Sequence, residues 1–123
     1  MKLPIEVEFS RVPGFLEKFA PMNISAFSFG IWIFCKTSFT TRLRIHETIH
    51  FKQQLELAFA LQYLLYGLSF LINIIRFKGD FYKSYRMNWF EQEAFDNDID
   101  PHYLENRKPY AWVKYIFHTS QEP

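Results

Sequence analysis

TRLRIHETIHFKQQLELAFALQYLLY, residues 41–66, is the stretch on which the fold turns. It contains no Pro and no Gly, and strong helix formers dominate it, so it predicts one long helix from near Thr41 to Gly67. Just upstream, KTSFTT (36–41) supplies Ser and Thr residues suited to capping that helix. Before the cap, AFSFGIWIFC (26–35) is aromatic and β-branched and reads as a strand. Residues 1–22 carry Pro4, Pro13 and Pro21. They predict an extended entry and a short helix with Phe15, Leu16 and Phe19 on one face, ended by Pro21. Downstream, Leu68 to Phe77 continues as apolar helix, and Phe77-Lys78-Gly79-Asp80 marks a break. Phe81 to Asn97 reads as a further helix, Asp100-Pro101 as an N-cap with Pro in the first turn, and Pro109 as the opening of a last short helix. The expectation is a single mainly α domain over residues 1–123, with a minor β element before its longest helix.

The composition narrows the function classes. Hydrophobic residues make up 49% of the 123, enough for a core, and the charged share of 22% with 4 Gly and 6 Pro excludes a disordered or low-complexity chain. A net charge of +1 lacks the basic excess of a duplex binder, so no nucleic-acid partner is expected. The single Cys35 excludes an internal disulfide framework and any cysteine-rich zinc module. Glu6, Glu8 and Arg11 interrupt the N-terminus where a secretory signal would need an apolar run. A cytoplasmic chain is the expectation, with a membrane surface as a further address.

The chemistry lies in His46-Glu47-Thr48-Ile49-His50, an HExxH sequence inside the predicted helix. Residues i and i+4 share a helix face, so two neutral imidazoles can each direct a nitrogen lone pair at one Zn2+ ion. Glu47 projects about 100° round the helix from His46, free to act as a base on a water that the ion activates. A third ligand from elsewhere would complete the open coordination of a catalytic site. Two carboxylates, Glu91 and Glu93, stand in the predicted helix WFEQEAF (89–95).

HExxH with a glutamate from a following helix resembles the gluzincin zinc metallopeptidases. RIHETIHFKQQLEL and WFEQEAF also look like a group of small bacterial HExxH proteins, over about residues 25–117. The resemblance implies a compact zincin-like helical domain. It further implies His46, His50 and Glu93 as metal ligands, with Glu91 as the alternate. In the family the third ligand commonly sits in a Glu-Ala or Glu-x-x-Ala context with Asp or Asn four residues on; Glu93-Ala94 with Asn97 fits the first version, while Glu91 with Ala94 fits the second but has Phe95 four residues on. Asn97 would then steady a ligand histidine. It also implies that an edge strand beside the HExxH helix pairs with extended substrate, a role open to Phe29–Cys35. No motif marks a transition-state stabiliser; His102, Tyr103 and Tyr110 are candidates, as Arg86 and Arg107 are for orienting a ligand or substrate.

LAFALQYLLYGLSFLINII (57–75) carries no charge and reaches transmembrane length. If it spanned a bilayer, His50 and Glu93 would lie on opposite sides, so a reversal near Gly67 or Gly79 is expected instead. Its exposed part would then meet a membrane surface or a second copy of the chain. The leading functional expectation is a zinc metallopeptidase acting on peptide or protein, with Glu47 as the catalytic base. The alternative is a non-catalytic, membrane-associated or oligomerising helical protein whose HExxH is accidental or a relic.

Overall fold

A computed structural model describes residues 3–18 and 24–117 of the chain. Strand β1 (Ile5–Val7) leads through helix α1 (Val12–Glu17) to the hairpin β2 (Ala26–Phe29) and β3 (Trp32–Cys35). Helices α2 (Thr41–Glu56), α3 (Ala60–Arg76), α4 (Phe81–Arg86) and α5 (Trp89–Asn97) follow. The short α6 (Tyr103–Asn106), a 3₁₀ turn (Ala111–Val113) and α7 (Lys114–Phe117) complete the chain. The molecule is mainly helical with a small three-stranded sheet, as expected. Phe19 and Pro21, assigned to the first helix and its end, lie outside the described residues.

The expected single strand over 26–35 is a hairpin. Gly30 takes φ +60°, a left-handed conformation that a residue with a Cβ adopts only at a cost, and the chain reverses there. Strand β3 is central: β2 flanks it antiparallel and β1 parallel, in the order β1-β3-β2. The segment Phe29–Cys35 is therefore not the edge strand it was read as. The open edge nearer the HExxH helix belongs to β2.

The long helix ends earlier than the sequence suggested. Thr40 caps α2, its hydroxyl accepting from Leu43 N–H. At Leu57 the chain turns a corner, and α3 leaves at a bend of 113°. Ala58 and Phe59 take positive φ there (52° and 60°), and Phe59 N–H closes the corner on the Gln54 carbonyl at 2.7 Å. Contacts distant in sequence hold it. The Tyr63 hydroxyl accepts from Gly30 N–H and donates to the Gln54 side chain, while Gln54 donates to Ser28. Gly67, where a reversal was expected, sits inside α3; the second turn falls at Lys78-Gly79, both with positive φ. Among the described residues no single helix is long and apolar enough to cross a membrane.

The expected helix over 81–97 is likewise two. Asn88 interrupts it and caps α5, its Oδ1 accepting from Phe90 N–H while its Nδ2 donates to the Tyr66 carbonyl. Asp100-Pro101 caps no helix: α6 begins at Tyr103, and Asp100 accepts from His102 N–H within the preceding turn.

Ile45 and Ile49 of α2 pack on Ala94 of α5, with Tyr103 and Leu104 against them. Phe90, fully buried, stacks near Trp112 (ring centroids 4.6 Å apart) and Tyr66 (6.1 Å). Phe90→Ala should cost about 3–5 kcal/mol, the usual loss for emptying a buried aromatic site. A urea titration checks this through its midpoint; an unmoved midpoint would mean that the α5–C-terminal contact is not a core. Cys35 is buried as a small core residue.

Candidate metal centre

Helix α5 packs against α2 and brings Glu91 over the HExxH face. His46 Nε2 lies 3.1 Å from Glu91 Oε1, and His50 Nε2 lies 3.0 Å from the same oxygen. All three side chains are buried. Tetrahedral zinc with bonds near 2.0–2.1 Å would hold its donors about 3.3–3.4 Å apart, so the two histidine–Glu91 distances need only a few tenths of an ångström of adjustment. Glu91 sits in the first turn of α5, where the helix dipole favours a carboxylate. Its second oxygen accepts from the Tyr66 hydroxyl at 2.7 Å, which leaves Oε1 to the histidines.

Hydrogen bonds behind the imidazoles decide which nitrogens face the centre. His46 Nδ1 is 2.9 Å from Asp98 Oδ2, and the other oxygen of that carboxylate accepts from Arg42. A carboxylate oxygen accepts, so Nδ1 of His46 donates. His50 Nδ1 is 2.8 Å from Gln53 Oε1. The Gln53 amide nitrogen donates to the Phe90 carbonyl and to Glu93, so its oxygen must point at His50, and Nδ1 of His50 donates too. Both Nε2 atoms then aim at Glu91 Oε1. A bare lone pair facing a carboxylate oxygen at 3 Å is repulsive, so something positive must sit at the convergence: two protons or one cation.

The electrostatics of the cluster agree. Burial alone would lower the His46 pKa, but hydrogen bonds to Asp98 and Glu91, with the charges of Glu91 and Glu47, push it up to about 10. Burial likewise opposes a charge on His50, and Glu91 overrides it, while the neighbouring His46 charge pulls the other way. Burial would raise the Glu91 carboxyl; the charge on His50 and hydrogen bonds to both rings hold it far below the usual range instead. Glu47 goes up, because its own burial outweighs the two imidazoles. Two imidazolium rings with centroids 4.9 Å apart repel each other, whereas one divalent cation on two neutral rings does not.

The third-ligand assignment needs correcting. Glu91, the alternate, meets the histidines; Glu93, the preferred one, projects about 200° away on α5. Glu93 accepts from Gln53, Tyr103 and Arg107 and touches neither imidazole. Asn97 follows it away, donating to the Glu93 carbonyl. The role expected of Asn97 falls to Asp98, seven residues after Glu91, about 20° short of two full turns and so on one helix face. His102 is exposed beside Glu105, Tyr103 bonds Glu93, and Tyr110 bonds Glu56; none reaches the centre. Arg107 binds Glu93 and Glu56. Arg86 stacks 3.8 Å over the Phe95 ring, which in turn packs edge-on against His46.

A cavity of about 980 Å³ opens on the cluster, walled by His46, Glu47, His50 and Glu91. Ala26 to Ser28 of β2 line it as well, together with Phe70, Phe81 and Tyr85. Burial, then the charges of Glu91 and Glu47, hold the Tyr85 phenol well above its ordinary pKa, so it stays a donor. Tyr66, Tyr85, Gln53 and Asp98 were not singled out from sequence. Spacing could have found Gln53 (i+3 from His50) and Asp98 (i+7 from Glu91); no local signal marks the two tyrosines. Searches against protein-family models, curated proteins and solved structures find no match to this chain.

Proposed function

We propose that this chain is a zinc-dependent metallopeptidase with His46, His50 and Glu91 as its metal ligands. The observation that carries the reading is the convergence of two Nε2 lone pairs and one carboxylate oxygen, with both Nδ1 atoms tied back as donors. Borderline-soft zinc suits this N₂O donor set, and second partners of this kind are what ligating histidines require. Bound there, zinc would polarise a carbonyl and lower the pKa of water.

The remaining work belongs to the chain. Glu47 lines the cavity beside the ligands and is not held by them, its nearest approach being 4.0 Å to His46 Nε2. It takes the proton of the attacking water and returns it to the leaving amine. Tyr85 donates to the negative charge that develops on the substrate oxygen. An extended peptide is accommodated along β2, which among the described residues is paired on one side only. Phe70 and Phe81 in the cavity lining suit a large hydrophobic side chain.

Metal analysis and a hydrolysis assay on the purified full chain test this. A single zinc per chain, lost in His46→Ala, is expected, with cleavage of an unfolded protein substrate that a chelator stops and added zinc restores. A chain that takes up zinc without cleaving anything supports a non-catalytic metal protein instead. One that takes up none defeats the metal reading altogether.

A further inference from the structure

Helix α3 is turned inside out. Its buried positions are polar: Gln62, Ser69 and Asn73, at 3%, 0% and 4% exposure. At 100° per residue these fall within about 40° of one another on the helix. Leu61, Leu64, Leu68, Leu71, Ile72 and Ile75 span the other side, about 100° wide, and each is 45–73% exposed. An apolar stripe of that width normally faces a core. The polar residues face inward because the ends of neighbouring helices need them. Asn73 donates to the Ser84 carbonyl, and the Ser69 hydroxyl accepts from Trp89 N–H. Among the described residues nothing covers the outer half of this leucine and isoleucine face.

We propose that this face docks on an anionic lipid bilayer, with α3 lying flat in the interface. Charge decides between occupants. From Leu57 to Ile75 there is no Asp, Glu, Lys, Arg or His, and Arg76, Lys78, Lys83 and Arg86 follow at the helix end. Arg76 and Lys83 lie over the Phe77 ring, and Tyr82 beside them is 52% exposed, the aromatic–basic combination found at headgroup level. The only acid between residues 57 and 86 is Asp80, which accepts from Lys83 N–H to cap α4. A second copy of this face would therefore bring only the capping Asp80 to meet four cations, whereas an anionic surface offers a headgroup to each. Seventeen residues make about 25 Å of helix, short of the roughly 30 Å hydrocarbon thickness, so the helix lies on the bilayer and does not cross it.

Flotation of the full-length chain with vesicles is the test. The chain is expected to float with vesicles of equal parts phosphatidylcholine and phosphatidylglycerol, and far less with phosphatidylcholine alone. Leu64→Ser with Leu68→Ser should weaken partitioning by about tenfold per leucine, since each removes one buried apolar side chain from the interface. Arg76→Gln with Lys78→Gln should weaken it only on the anionic vesicles and carries the test if the leucine variant does not fold. Zinc content should stay unchanged in both, so the outcome is separate from that of the metallopeptidase reading. Absence of flotation with either vesicle overturns the proposal. So does a dimer in lipid-free solution that the leucine substitutions dissociate without changing flotation.

Discussion

Glu47→Gln is expected to reduce peptide hydrolysis by about 10²–10⁴-fold while the protein keeps its full complement of zinc, the range usual for losing a positioned general base. The amide keeps the length and planarity of the carboxylate but cannot take a proton. Zinc should remain because the proposed ligand set, the cluster of His46, His50 and Glu91, does not include Glu47. The fold should remain as well. Glu47 is buried, and its carboxyl is pushed above its ordinary pKa by that burial. A charge held against desolvation opposes folding at neutral pH, so a neutral amide there should leave the thermal midpoint equal or higher. Lost activity with retained zinc and retained stability assigns Glu47 to the reaction itself. Wild-type turnover in the Gln variant would remove the base from the mechanism.

The parts of this chain legible in its sequence are those governed by local spacing. His46 and His50 could be placed on one helix face because only three intervening residues matter, and α2 does begin at Thr41 beneath its threonine cap. The corner at Leu57–Phe59 could not be read. No Gly or Pro marks it, and it is held by Tyr63, Gln54, Gly30 and Ser28, which meet only in the tertiary structure. The apolar run beyond it also misled. A reversal near Gly67 or Gly79 was expected from the need to bring His50 and a glutamate together, but nothing local told that the buried positions of the run would be the polar Gln62, Ser69 and Asn73. Choosing Glu93 rested on a partner four residues on. The chain uses an interval of seven, Glu91 to Asp98, which satisfies the same one-face geometry two turns apart and leaves Asn97 to its own helix.

Separating Glu91 from Glu93 by mutation should give two different kinds of loss. Glu91→Ala removes a donor oxygen and should weaken zinc binding by well over the roughly 10–100-fold that marks loss of an outer partner. Glu93→Ala should stay within that range, because it acts on the ion only through Gln53 and His50. Its main cost is to stability. Glu93 is fully buried and accepts from Arg107 through Nε at 2.6 Å and Nη2 at 3.0 Å; the Arg107 side chain is 5% exposed. Removing one member of a buried pair strands the other, typically at about 3–5 kcal/mol. Arg107 keeps Glu56 as a second partner, so Glu93→Ala should fall toward the lower end. Arg107→Ala strands both Glu93 and Glu56 and should cost more. Zinc titration and urea unfolding on the three variants read the two effects separately. Zinc released by Glu93→Ala but retained by Glu91→Ala would reverse the ligand assignment. Equal stability of all three with the wild type would mean that Arg107 does not tie the C-terminal segment to α2 and α5.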